Sequence, residues 1–180
     1  MKKEFIKLAG ILCAITLIAA LLLACVNKIT APEIEKAAQK ASEEAMNTIL
    51  PADRYEKVEG KENVYKAIKG ADVIGYCVTV SVNGFGGPVE MMVGIGTDNV
   101  LKGIDVLSHS ETAGLGAKAD TDEFKQRFVR KNPDLTVVKQ PTTNIAEVQA
   151  ITGATITSRA VAEGIKQAHE IVKEIEGGDK

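Results

Sequence analysis

Cysteine and histidine are both scarce in this sequence of 180 residues, which contains three cysteines and two histidines. Cys13 and Cys25 fall in an apolar stretch near the start, so Cys77 has no disulfide partner in the remainder. His109 and His169 have no second ligand at metal-like spacing, and the cysteines are too dispersed for a zinc or iron-sulfur site. We therefore predict no protein-bound metal, and we expect Cys77 to pack in a buried strand.

An excess of basic side chains is also missing. Without residues 1 to 30 the chain keeps 18 basic against 23 acidic side chains, a net charge near minus five. A nucleic-acid surface depends on clustered Lys and Arg, so this balance argues against DNA or RNA as a partner. The sequence also lacks internal repeats and low-complexity linkers. The part from residue 31 onward, about 150 residues, therefore has the size of one domain.

A long uncharged run occupies the start of the chain. Leu8–Val26 is 19 residues without a charge, enough helix to cross a hydrocarbon core of about 30 Å. Lys2, Lys3 and Lys7 precede it, and the positive-inside bias keeps such a terminus in the cytoplasm. We predict a single transmembrane helix in a lipid bilayer, with 1–30 as cytoplasmic terminus and anchor and 31–180 as an extracytoplasmic domain.

A processed signal is the alternative for the same run. Leu22–Cys25 resembles a lipobox, whose cleavage would leave a lipidated Cys25 as the new terminus. The length of the run favours an uncleaved anchor. Either route tethers the domain to the membrane.

Alternation and helical spacing predict an α+β domain with a mostly antiparallel sheet flanked by helices. A capping box at Thr30 and Glu33 predicts a helix from residue 30 to about Leu50, continuing from the anchor. Phe124 and Phe128 mark a short helix. Strands are expected at 76–82, 89–95 and 100–107, further strands at 135–138 and 146–151, and an edge strand at 65–68.

Four hydroxyl residues surround a Gly-Ala step in Ile151–Ser158, immediately before a helix whose apolar stripe ends at Ile175. Free backbone N–H groups and the helix dipole favour an anion at such a terminus. Gly153 lets the backbone approach closely. The alternative is that these hydroxyls are ordinary N-caps. The cluster therefore predicts either a phosphate site or a capped helix start.

A glycine-rich segment, His109–Lys118, follows the predicted strand at 100–107. Gly114 and Gly116 permit close approach of the backbone to a planar ring, Leu115 offers an apolar face, and Glu111 offers a hydrogen-bonding group. The spacing is neither that of a phosphate-binding P-loop nor that of a dinucleotide fingerprint. The alternative is a surface turn without a ligand.

These two segments together resemble the RnfG/NqrC family. Thr152-Gly153-Ala154-Thr155 is similar to its flavinylation motif, and His109–Gly116 is similar to its His-x-Glu-Thr-Pro-Gly-Leu-Gly motif, with alanine at position 113. Gln149 stands where an acidic residue is usual. Weaker similarity extends to Asn83–Pro88 and to the membrane-proximal Thr30-Ala31-Pro32.

The resemblance implies a covalent FMN, attached as a phosphoester to Thr155 by a separate flavin transferase that uses FAD. Supporting positions would be Thr152, Gly153, Ala154, Thr157 and Ser158 around the phosphate, and Glu111, Thr112, Gly114, Leu115 and Gly116 against the ring. The redox chemistry would belong to the flavin, and no residue of the chain is expected to be catalytic.

The resemblance further implies the G subunit of an Rnf-type complex, in which electrons pass between ferredoxin and NAD with ion transport, among other membrane subunits. The C subunit of the sodium-pumping quinone reductase is a close alternative, and the short chain favours Rnf. Two other functions stay open. One is a stand-alone tethered flavoprotein for extracellular electron transfer, and the other is a flavin-free binding or scaffold module.

Overall fold

The structure is a computed structural model that describes residues 2–178. The chain divides into two compact units, Met1–Lys40 and Ala41–Lys180. Helix α1 (Lys2–Ile49) supplies all of the described part of the first unit and the start of the second. Of the helices within 2–178, α1 is long and apolar enough to cross a membrane, by length and composition, as a signal sequence also would be.

The helix predicted to begin at Thr30 has no start there. α1 continues through Thr30 and Pro32, and the Thr30 hydroxyl donates to the carbonyl of Val26 at 3.0 Å. A bond to the residue four positions earlier is the interior pattern of a Ser or Thr side chain in a helix. The predicted capping box is therefore wrong, while the predicted continuation of the apolar helix into this segment is confirmed.

The second unit is built on a five-stranded antiparallel meander in the order β1-β2-β3-β4-β5. Its strands are β1 (Arg54–Lys57), β2 (Val64–Lys69), β3 (Asp72–Asn83), β4 (Pro88–Gly96) and β5 (Leu101–His109). The three strands predicted from alternation are confirmed as β3, β4 and β5. The edge strand predicted at 65–68 is an inner strand, because β1 pairs along its free side.

Apolar side chains cover both faces of this sheet. One face carries Val78, Val93 and Ile95 under helix α3 (Thr155–Gly178), whose Val161 and Ile165 are fully buried. On the other face, apolar residues of 45–50, at the end of α1 and just after it, pack against Ala67, Cys77 and Met92 of the sheet. Two buried faces explain why β4 reads as a nearly continuous apolar run.

Cys77 lies on the α1 side of the sheet and is 0% exposed, which confirms it as buried strand packing. Burial raises the pKa of its thiol to about 12. Because the thiolate is the reactive form, Cys77 is inert at neutral pH.

A connecting region leads from β5 to α3. It contains a 3-10 helix (Gly116–Asp120), helix α2 (Asp122–Gln126), β6 (Thr136–Val138) and β7 (Glu147–Gln149). β6 and β7 form a separate two-stranded parallel sheet, a pairing that the spacing of the sequence did not predict. Phe124 and Phe128 meet edge to face at 5.1 Å between ring centroids, as their spacing indicated.

His169 is a buried histidine of α3 whose pKa is lowered in the folded protein. Its side chain is 2% exposed, and its Nε2 lies 2.6 Å from Oδ1 of Asn99. Burial and the nearby charge of Lys173 lower its pKa, opposed by Asp134, whose Oδ1 is 4.0 Å from Nδ1.

Acid is therefore expected to destabilise the domain through His169. A histidine with a lowered folded-state pKa is neutral in the native state, so the unfolded chain binds more protons below about pH 6.5. We expect the free energy of unfolding to fall by at most about 1.4 kcal/mol per pH unit below that point. Denaturant titrations of the parent and of His169→Gln between pH 5 and pH 8 check this. Identical pH slopes would contradict the assignment.

Candidate functional site

Three chain segments meet around one cavity of about 370 Å³ in the second unit. They are the turn at 84–87 between β3 and β4, the loop at 110–116 after β5, and the start of α3. The lining residues are Phe85, Glu111, Thr112, Leu115, Gly116, Gly153, Ala154, Thr155, Ile156 and Thr157. Its volume and its mixture of apolar walls with a few polar groups are typical of a small-molecule site.

The carboxylate of Glu111 joins all three segments. Its Oε1 accepts hydrogen bonds from the N–H of Phe85 at 2.7 Å and of Gly86 at 3.3 Å. Its Oε2 accepts one from the Thr157 hydroxyl at 2.9 Å. The N–H of Glu111 donates to Nδ1 of His109 at 3.2 Å, so the backbone of Glu111 is also hydrogen-bonded. A buried carboxylate with these donors stabilises a single arrangement of the cavity walls.

The turn before α3 has its own fixed geometry. The N–H of Ala154 donates to the carbonyl of Ile151 at 3.0 Å, and Gly153 adopts φ 82°, a conformation that favours glycine. Ser158 ties the turn to the helix, because its hydroxyl accepts from the N–H of Ile151 and donates to the carbonyl of Ala154, both at 2.9 Å.

Thr155 differs from the other two hydroxyl residues of the first turn of α3. Thr157 and Ser158 are buried and hydrogen-bonded, whereas Thr155 is half-buried and lines the cavity. Its hydroxyl forms no hydrogen bond with any group of residues 2–178. The N–H groups of Thr155 and Ile156 likewise have no protein acceptor in this part of the chain, as expected for the first residues of a helix. An unpartnered hydroxyl thus lies beside free N–H groups at the N-terminus of a helix, a position that favours an anion.

The structure brings most of the predicted site residues to this cavity. Glu111, Thr112, Leu115, Gly116, Gly153, Ala154, Thr155 and Thr157 line it. Gly114, Thr152 and Ser158 are not among the lining residues. Thr152 is exposed beside a neighbouring cavity that Arg127 and Gln149 also line.

Two lining residues were missed by the sequence analysis. Phe85 and Ile156 belong to segments that had been noted, the turn at 83–88 and the stretch at 151–158. Their side chains are 70% and 55% exposed at the cavity. An isolated aromatic residue in a turn gives no periodic signal, so only the meeting of the three segments identifies it.

Removal of the Ser158 hydroxyl is expected to loosen the turn that presents Thr155. Ser158→Ala leaves the N–H of Ile151 without its acceptor at a buried position, a loss of about 1–3 kcal/mol in the free energy of unfolding. Denaturant titration of the detergent-solubilised chain measures the loss, and hydrogen exchange at the Ile151 amide localises it.

Ser81→Ala is the matched control, because Ser81 is an exposed strand serine. We expect a change within about 0.5 kcal/mol for that variant. Equal stabilities of the two variants would contradict the conclusion that the hydrogen bonds of Ser158 stabilise the turn before α3.

The cavity lies within a region that matches a known domain family. Residues 84–170 match the FMN-binding domain, and residues 1–49 match the RnfG N-terminal region. The fold and site thus define the chain as a protein in which an FMN-binding domain follows an apolar N-terminal helix in the sequence.

Curated relatives agree with both matches. The chain is 37% identical over 162 residues to the G subunit of the proton-translocating ferredoxin:NAD(+) oxidoreductase complex of Clostridium ljungdahlii, covering 89% of this chain and 88% of that one. It is 34% identical to the G subunit of the Na(+)-translocating ferredoxin:NAD(+) oxidoreductase complex of Acetobacterium woodii, covering 96% and 94%.

A solved structure has the same fold. The crystal structure of the C subunit of the Na(+)-translocating NADH-quinone reductase from Parabacteroides distasonis superposes with a TM-score of 0.51 at 27% identity, covering 58% of this chain and 57% of that one. The chain belongs to the family of G subunits of ion-translocating oxidoreductase complexes, the RnfG family, within the wider RnfG/NqrC resemblance predicted from its motifs.

The residues of the cavity fit a flavin mononucleotide. The free Thr155 hydroxyl and the unpaired N–H groups at the start of α3 suit a phosphate, and the apolar side chains of Phe85, Leu115 and Ile156 suit a planar ring. The loop after β5 packs closely against α3 at Gly116, where a Cβ would lie 2.9 Å from Oγ1 of Thr157, so this position has no room for a larger residue.

Proposed function

We propose that this chain is a membrane-anchored flavoprotein subunit that carries FMN covalently on Thr155. It relays electrons within an ion-translocating, Rnf-type complex between ferredoxin and NAD. The observation that carries this proposal is the unpartnered Thr155 hydroxyl at the cavity, beside unpaired N–H groups of α3. Residues 152–155 also match the family's flavinylation motif.

The chain's own residues would prepare the attachment. The transfer would form a bond from the Thr155 oxygen to the FMN phosphorus of FAD, as the pyrophosphate bond breaks and AMP leaves. The partial positive charge of the N–H groups at the start of α3 would stabilise the negative charge of that phosphate. Thr157 and Ser158 would act through the backbone, since Glu111 and the turn at 151–154 already occupy their hydroxyls. Bound flavin supplies reversible electron uptake and release, and its potential responds to nearby dipoles and hydrogen bonds.

Covalent attachment suits a relay that faces away from the cytoplasm. A flavin released outside the membrane would diffuse away, whereas a tethered one stays at high local concentration near its partners. The cavity can then remain open at one side, which leaves a ring edge available for electron exchange.

The proposed topology places residues 1–30 as the cytoplasmic end and anchor, and residues 31–180 as the extracytoplasmic domain. Three lysines before the apolar run support this orientation. The 19-residue length of the uncharged run favours an anchor that is not cleaved at Cys25. Proposed partners are the lipid bilayer, the other membrane subunits of the complex and, during maturation, a flavin transferase.

The test is co-expression of the full chain with and without a flavin transferase, followed by separation of the membrane fraction. We expect a fluorescent flavin band that survives denaturing electrophoresis, in the membrane fraction and only with the transferase. Protease added to cells whose outer membrane or wall is permeabilised, with the cytoplasmic membrane left intact, should digest the domain. No flavin band, with the transferase active on a known substrate, would contradict the proposal and favour a flavin-free binding module.

A further inference from the structure

Phe85 is a large, exposed aromatic residue that lines the cavity. It is 70% exposed, and Leu115 and Ile156, 46% and 55% exposed, line the same cavity. Single exposed apolar residues are ordinary on protein surfaces, but three around one cavity form a patch of the kind that marks a binding site. None of the three is a member of the buried hydrophobic clusters.

The turn that carries Phe85 is fixed from two sides. The N–H of Gly84 donates to the carbonyl of Gly87 at 2.8 Å, which closes the turn. Oε1 of Glu111 receives the N–H of Phe85 itself at 2.7 Å. A Cβ at Gly84 would overlap Oε1 of Glu111, so the close approach of carboxylate and turn depends on that glycine. The backbone position of Phe85 is thus set before any ligand arrives.

Glu111 couples this turn to the attachment point. Its other oxygen, Oε2, receives the Thr157 hydroxyl at 2.9 Å, two residues after Thr155. One carboxylate therefore links the backbone of the turn that carries Phe85 to the first turn of α3, which carries the hydroxyl that would bear the phosphate. An FMN attached at the start of α3 has its ring within reach of a side chain held in this way.

We propose that Phe85 contacts the flavin ring directly and that Glu111 is the positioning residue that holds Phe85 there, an inference that rests on the proposed function. Aromatic rings pair in offset-stacked or edge-to-face arrangements. The contact therefore limits the motion of a ring tethered at its phosphate end, and covers part of it from solvent. Leu115 and Ile156 complete the apolar surroundings of the ring.

The composition of the chain offers a direct reporter. The sequence contains no tryptophan and three tyrosines, and no tyrosine is among the residues that line the cavity. An indole in contact with an excited flavin ring quenches its emission, by electron transfer to the ring and prompt return. Phe85→Trp therefore introduces a quencher where the native chain has none. Ile145→Trp is the matched control, since Ile145 is 64% exposed and outside the cavity lining.

Loading is measured first, as the mass increment of FMN on Thr155 in the full chain, and emission is then compared per bound flavin. We expect Phe85→Trp to lose most of its flavin emission with a shortened lifetime, and Ile145→Trp to keep the emission of the parent. Equal emission from the two loaded variants would overturn the ring contact and leave the proposed function standing. A parent chain without FMN on Thr155 would overturn both.

A second pair of variants tests Glu111. In a Phe85→Trp background, Glu111→Ala removes both hydrogen bonds between the carboxylate and the turn, those from the N–H groups of residue 85 and Gly86, so we expect the flavin emission to recover. Glu111→Gln keeps an acceptor for the N–H of Phe85 and a donor for Thr157, so emission should stay quenched. Recovery in neither variant, or in both, would overturn the positioning role.

An independent readout uses the native side chain. Phe85→Ala should raise the quenching of bound flavin by iodide about two- to tenfold, the factor that corresponds to the loss of one aromatic pair. Phe85→Tyr should keep the flavin as shielded as in the parent. Equal iodide quenching of the parent and of Phe85→Ala would overturn the contact.

Discussion

Replacement of Thr155 by alanine is expected to abolish covalent flavin attachment completely. Among residues 2–178, the Thr155 hydroxyl at the cavity has no protein partner. Its removal deletes the oxygen that would form the phosphoester. Thr157 is no substitute, because it is 1% exposed and donates to Glu111. Intact mass after co-expression with an active transferase measures the result.

Thr143→Ala is the matched control for this loss. Thr143 is exposed and lies outside the cavity lining, so its variant should carry FMN to the level of the parent. Thr155→Ser keeps a hydroxyl at the same position and tests the need for the oxygen alone, with partial loading as the expected result. Full loading of Thr155→Ala would show that the acceptor has been assigned to the wrong residue.

Insertion of a methyl group at Gly116 is expected to damage the site and the stability of the domain together. A Cβ at Gly116 would overlap Oε2 of Glu111 and lie 2.9 Å from both Cδ of Glu111 and Oγ1 of Thr157. The carboxylate must then move away from the Phe85 turn. Such overpacking costs about 1–3 kcal/mol in the free energy of unfolding, and we expect less FMN on Thr155 after a fixed time with the transferase.

Gly177→Ala provides the comparison, since a Cβ there meets nothing within 4 Å. Alanine in a helix is slightly favoured over glycine, so the control should match or exceed the parent in stability and load normally. Denaturant titration and time-resolved mass measurement check both variants. A Gly116→Ala protein with the stability and loading rate of the parent would contradict the role of the Glu111 contacts.

Strands β3, β4 and β5 could be predicted because their apolar side chains follow the alternation of a packed sheet. Strand β1 could not, because its sequence Arg-Tyr-Glu-Lys is charged and largely exposed. The three-residue strands β6 and β7 were expected, but their parallel pairing depends on the path of the connecting region. Thr30 and Glu33 have a capping pattern that occurs inside a helix, since the apolar run before them is itself helical.

The site shows the same division. Thr155 and the loop at 110–116 could be predicted by their resemblance to family motifs. The different states of Thr155, Thr157 and Ser158 could not, because burial and hydrogen bonding follow from how α3 meets Glu111 and the turn at 151–154. Phe85 joins the site because its N–H donates to the carboxylate of Glu111, a contact between residues 26 positions apart in the sequence.

The most direct test of covalent flavin carriage is fragment mapping of the full chain after co-expression with a flavin transferase. Intact mass first establishes whether one FMN is attached, and fragmentation of the peptide that spans 151–159 then locates it. An FMN increment on Thr155 is the predicted result. An increment on Thr152 or Thr157, or an unmodified chain alongside a modified control substrate, would contradict the account.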